Sequence, residues 1–126
     1  MKDQLIDFET AKLAKEKGFD EECFHFLPNE YGVDKNLILT DFNKKHFEIC
    51  KNSLMIKNAI ALPTQSLLQR WLREKHKIDI IITSNLLGYG YMLYHRYPSK
   101  NITNSKTFET YEEALEVGLQ EALKLI

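Results

Sequence analysis

The sequence predicts an α+β fold, a single domain over residues 1–126 with an antiparallel sheet and helices packed on one face. Three observations predict it. Apolar residues recur at helical spacing in three separate stretches. Between the second and third they alternate at strand spacing through a hairpin. The length of 126 residues, with 44% hydrophobic and 28% charged side chains, suits one ordinary globular core.

The first helix is expected over Phe8 to Lys17. Asp7 is placed to cap its free amides, Phe8, Ala11 and Ala14 form the apolar stripe with Leu13 at its margin, and Gly18 follows as the left-handed stop. Cys23 to Leu27 has strand character and is closed by the turn residues Pro28 to Gly32. Between Val33 and Leu62 the pattern allows two short strands, around Leu37–Leu39 and Leu54–Ile56, or an irregular excursion. The second helix follows Pro63, which suits a first turn because its missing amide costs nothing there. Leu67, Leu68, Trp71 and Leu72 make its apolar face.

At Ile78 the period changes from helical to two. Ile78, Ile80 and Ile82 mark a buried strand, Ser84 to Gly88 a turn, and Tyr89 to Tyr97 the returning strand, ended by Pro98. Lys100 to Lys106 reads as a polar loop. Thr110 opens the last helix in a capping box with Glu113, and Tyr111, Leu115, Gly118, Leu119, Ala122, Leu123 and Ile126 share its apolar face.

Three segments together, FETAKLAKEKGFDEECF (8–24), ALPTQSLLQRWLREKHKIDI (61–80) and FETYEEALEVGLQEALKLI (108–126), resemble a family of small proteins encoded by Bacteroidetes bacteria and by their phages and other mobile elements. The resemblance covers both ends and the central helix–strand unit, roughly half the chain. It implies a setting, a phage-type accessory protein inside a bacterial cell, and carries over no catalytic residue.

Composition narrows the function classes. No apolar run approaches the roughly 20 residues of a transmembrane helix, and the N-terminus lacks the basic and apolar regions of a signal peptide. Two cysteines do not make a disulfide framework. A cytoplasmic protein without membrane contact is expected. Net charge is −1, but residues 1–34 carry 4 basic and 9 acidic side chains, residues 35–106 carry 12 and 4, and residues 107–126 carry 1 and 5. The basic middle makes a nucleic-acid-binding accessory protein the runner-up reading, with Lys44, Lys45, Arg70, Arg73, Lys75 and Lys77 as phosphate contacts.

Metal chemistry has one candidate, Cys23-x-His25 with His46-x3-Cys50, whose four side chains could fill a tetrahedral zinc site. The single residue between Cys23 and His25 is short for a zinc knuckle, so the expectation is no metal and no cofactor. A Cys–His nucleophile from the same residues lacks anything to lower the Cys23 thiol, which follows Glu21 and Glu22. With no P-loop, HExxH or nucleophile elbow, a small hydrolase ranks third and catalysis is not expected.

The segment Gly88 to Tyr97 is the most function-like. Tyr89, Tyr91, Leu93, His95 and Tyr97 are expected on one face, and Met92, Tyr94 and Arg96 on the other. Aromatic surface beside fixed positive charge fits a flat, anionic ligand. The expected ligand-binding residues are therefore Tyr91, Tyr94 and Arg96, with Arg70 and Arg73 approaching from the second helix. The leading expectation is a non-catalytic binding module that sequesters a host protein or an anionic nucleotide-like small molecule. The sequence assigns no oligomeric state.

Overall fold

A computed structural model of the chain describes residues 4–23, 25–28, 39–40, 59–96, 99–104 and 106–126. They fall into two compact units, Leu5–Thr64 and Gln65–Ile126, the latter together with residues 1–4.

In the Leu5–Thr64 unit, α1 (Phe8–Glu16) is started by Asp7, whose carboxylate accepts the Thr10 amide and hydroxyl, both at 2.9 Å. Lys17 caps it and Gly18 takes a φ of 94°, the left-handed stop expected there. Thr10, Ala11 and Ala14 are its buried residues, and Phe19, directly after the glycine, is 1% exposed. The Phe19 amide returns to the Ala14 carbonyl at 2.9 Å, which folds the chain back over the last turn.

The described residues of this unit also form a three-stranded antiparallel sheet, in the order β2 (Leu39–Thr40), β1 (His25–Pro28), β3 (Ala59–Ala61). The strand expected at Cys23–Leu27 is thus shifted to His25–Pro28. Proline ends it rather than following it, in register with Ala59. Of the strand expected near Leu37–Leu39 only Leu39 is among the described residues, in β2, and that near Leu54–Ile56 lies outside them, as do His46 and Cys50.

The second unit begins at α2 (Gln65–His76). The helix starts two residues beyond Pro63, whose carbonyl instead accepts the Ile6 amide at 3.1 Å within the first unit. Leu68, Trp71 and Leu72 are buried and Leu67 is half-buried, as the helical spacing requires. Lys77 alone joins α2 to β4 (Ile78–Asn85), and it does so at a φ of 59°. Strands β4, β5 (Gly88–Arg96) and β6 (Ser99–Thr103) form an antiparallel sheet in that order.

The polar loop expected from Lys100 to Lys106 is therefore a correction. Most of it is strand, because backbone pairing with β5 from Met92↔Thr103 to Arg96↔Ser99 outweighs the weak strand preference of Ser, Lys and Asn. An edge strand accepts polar side chains, and all but Ile102 are exposed here. The turn is also tighter than expected. Asn85 pairs with Gly88, and only Leu86 and Leu87 lie between.

Helix α3 (Tyr111–Lys124) is capped by Thr110, whose hydroxyl accepts the Glu113 amide at 3.0 Å. Ala114, Leu115, Gly118, Leu119, Ala122 and Leu123 are buried. Tyr111 and Ile126, expected on that face, are instead 44% and 38% exposed, because they sit at the helix ends beyond the packed turns. Both helices pack on the face of the sheet that carries the buried residues Ile78, Ile80, Tyr91 and Leu93. Gly118 sets how close α3 comes: a methyl group there would stand 3.1 Å from Ile80 Cγ2 and 3.4 Å from Tyr91 Cγ. Gln65 ties the helices, donating to the Glu112 carbonyl at 3.0 Å and to Glu116 Oε1 at 2.9 Å.

Candidate functional site

The pleat of β5 divides its side chains as the sequence predicts. Tyr91 and Leu93 are buried on the helix-packed face, while Met92 and Tyr94 are half-buried and Arg96 exposed on the other. That second face also carries Asp79, Ile81 and Thr83 of β4 and Ser99, Asn101 and Thr103 of β6, since these residues are the register partners of Tyr94, Met92 and their neighbours. Ile81 is 43% exposed. Neither α2 nor α3 packs there, so among the described residues of its unit the face is open.

The expected site residues divide between the two faces. Tyr94 and Arg96 stand together on the open face, two residues apart on one strand. The Tyr94 hydroxyl is 3.2 Å from Ser99 Oγ. Arg96 is committed to Asp79: its Nε donates to Oδ2 at 3.0 Å, and a terminal nitrogen reaches the same oxygen at 3.0 Å. An anionic ligand would therefore have to compete with a carboxylate already in place. Tyr91 is 3% exposed in the core, with its hydroxyl accepting from Asn104 Nδ2 at 2.9 Å. Arg70 and Arg73 are exposed on α2, a helix of the opposite face, so the structure does not bring them to Tyr94. Tyr97 lies outside the described residues.

The other candidate chemistry is placed as follows. Cys23 is buried, and its Sγ donates to the His25 carbonyl at 3.5 Å. Its other expected metal partners, His46 and Cys50, lie outside the described residues. Among the described residues, no three His, Cys, Asp or Glu side chains converge as metal ligands would. Among them, too, no helix is long and apolar enough to cross a membrane.

Two features escaped the sequence reading. His76 closes α2 with its ring edge-on to Trp71, centroids 4.6 Å apart, and its Nε2 is enclosed without a hydrogen-bond partner among the described residues. Burial lowers its pKa, helped by the neighbouring Lys75 and His95 charges. The second is the hairpin tip. Leu86 and Leu87 are 105% and 83% exposed, and the Leu87 amide donates to Asn85 Oδ1 at 2.7 Å. The signal was present as two leucines where a tight turn calls for Asn, Asp or Gly.

Comparison with known proteins finds no matching family model, no matching curated protein and no matching solved structure.

Proposed function

We propose that the protein is a non-catalytic binding module whose docking surface is the open face of the β4-β5-β6 sheet, and that its target is another protein. The observation that carries this reading is the grouping of Ile81, Met92, Tyr94 and Arg96 on a face that neither helix of the unit covers. An apolar centre, an aromatic ring with a polar tip and a guanidinium at the rim are the side-chain types that protein interfaces favour. In the mobile-element setting implied by the resemblance, the partner would be a host protein held in an inactive complex. A phenol, a thioether and an ion-paired guanidinium supply no nucleophile beside a base, which is why binding is favoured over catalysis.

Affinity capture from bacterial host lysate tests the reading, with the wild-type chain and a Tyr94→Ala/Met92→Ala variant as baits. The expected result is a stoichiometric protein retained by the wild type and lost by the variant. Equal retention by both baits would count against the open face.

The nucleotide-like ligand remains a second reading, favoured by the placement of the Tyr94 ring and the Arg96 guanidinium on one face of one strand. Calorimetric titration with a panel of nucleotides separates the two. A charge-assisted hydrogen bond is worth about 1.5–3 kcal/mol, so Arg96→Ala should weaken genuine binding roughly tenfold or more.

A further inference from the structure

We infer that β4 pairs with β4 of a second copy of this chain about a two-fold axis at Thr83, so that the protein dimerises through its hairpin edge and tip. The inference is independent of the proposed protein partner and starts from strand order. In the sequence β4-β5-β6, strand β4 lies at the edge of its sheet. Which of its backbone groups point outward follows from the turn. A two-residue loop closes on a hydrogen-bonded pair, here Asn85 and Gly88, so odd-numbered β4 residues bond to β5 and even-numbered ones turn their amides and carbonyls to the free edge.

Two bonds agree with that parity. The Arg96 amide donates to the carbonyl of odd-numbered Lys77 at 3.0 Å. The carbonyl of even-numbered Ile80 points outward and accepts Gln69 Nε2 at 3.0 Å. Ile80 is thus satisfied by α2, whereas Ile82 and Ser84 have no strand partner on this side among the described residues. Thr83, Ser84 and Asn85 around them are exposed.

Sheet edges are normally guarded by lysine, proline or a bulge. This one is not: Ile80 to Leu87 contains no charge and no proline, and its register with β5 runs unbroken. Pairing about Thr83 uses every exposed feature of the segment. Ile82 of each copy exchanges both hydrogen bonds with Ser84 of the other, and Thr83 faces Thr83 across the axis. The same register sets Ile80 opposite Leu86 and Ile81 opposite Asn85, so each leucine tip lies along the Ile80–Ile81 stretch of the other copy. A two-fold axis repeats each contact, and an uncharged segment meets no like-charge repulsion under it. A few strand residues and two leucines per copy fall short of the roughly 1,200–2,000 Å² of a standard interface. The dimer is accordingly weak, with a dissociation constant in the micromolar range.

Sedimentation velocity of the full chain over a concentration series up to about 300 μM tests this against the micromolar expectation. Reversible dimerisation is expected for the wild type. Thr83→Lys sets two ammonium groups against each other at the axis and should raise the dissociation constant at least about tenfold with the melting temperature of the monomer unchanged. Leu86→Asn/Leu87→Gly, which supplies ordinary turn residues, should raise it in the same direction. Thr83→Cys should cross-link the two copies under mild oxidation, because a non-hydrogen-bonded antiparallel pair holds its Cα atoms about 4.5 Å apart, within disulfide reach. A chain that stays monomeric throughout overturns the inference, and so does a dimer indifferent to Thr83→Lys.

Discussion

Lys77 makes the entire connection between α2 and β4 at a φ of 59°, a region where a side chain crowds the following carbonyl. Glycine removes that crowding, so Lys77→Gly is expected to raise stability by up to about 1 kcal/mol, and the branched Lys77→Ile to lower it, in urea unfolding. Gly88 is the reverse case. At a φ of 143°, a methyl group there would meet the Phe108 carbonyl oxygen and stand 2.9 Å from Thr107 Cγ2. A backbone oxygen held by the Tyr89 amide at 2.9 Å cannot move aside, so Gly88→Ala should cost at least about 1–3 kcal/mol. His76 gives a pH dependence with a definite sign. Its pKa in the folded protein lies below the ordinary value of 6.5, so below that pH the unfolded chain takes up the proton more readily. The stability it contributes is complete above 6.5 and is lost as pH falls towards the lowered folded value. Urea midpoints at about pH 7.5 and about pH 5.5 should therefore differ more for the wild type than for His76→Gln. Lys77 and His76 do not announce themselves in sequence, because each depends on which neighbour the fold brings up, whereas Gly88 closes the turn read there.

At the scale of elements, the helices were the most legible part, since their signals are local. Asp7 and Thr110 do what their positions before an apolar-periodic run imply, and each caps its helix through one backbone amide three residues on. Thr110→Ala should cost about 1 kcal/mol of stability in thermal or urea unfolding. Leu119 is 0% exposed at the centre of the α3 face, and Leu119→Ala should cost roughly 2–5 kcal/mol through lost transfer and the cavity left behind. Strand β6 was not legible. Ser-Lys-Asn-Ile-Thr has no alternation to read, and it becomes a strand only because β5 offers it an edge. The hairpin was read correctly as an element and in how its side chains divide between two faces, but not in which face turns inward. Both sides of β5 are aromatic, so the pattern alone did not say that Tyr91 rather than Tyr94 goes inside. Gly118, placed mid-helix on an apolar face, lets α3 come close to Tyr91 and Ile80 on the inward face.

For the whole molecule, the α+β class with helices on one face of an antiparallel sheet follows from periodicity alone. The arrangement of the chain between Val33 and Leu62 does not, because short strands such as β2 and β3 are defined by their partners rather than by their own residues. The candidate site was half legible for a related reason. Tyr94 and Arg96 lie on one strand, where spacing fixes their company, whereas the approach of Arg70 and Arg73 depended on which face α2 would choose. The open face is the consequence of that choice. Photo-cross-linking gives the sharpest test, with a benzophenone amino acid in place of Tyr94 and the protein expressed in a bacterial cell. One discrete adduct between the chain and a different protein is expected, absent when the same group replaces the exposed Arg73 of α2 on the opposite side of the sheet. Illumination that yields no adduct from position 94, or the same adducts from both positions, would contradict it.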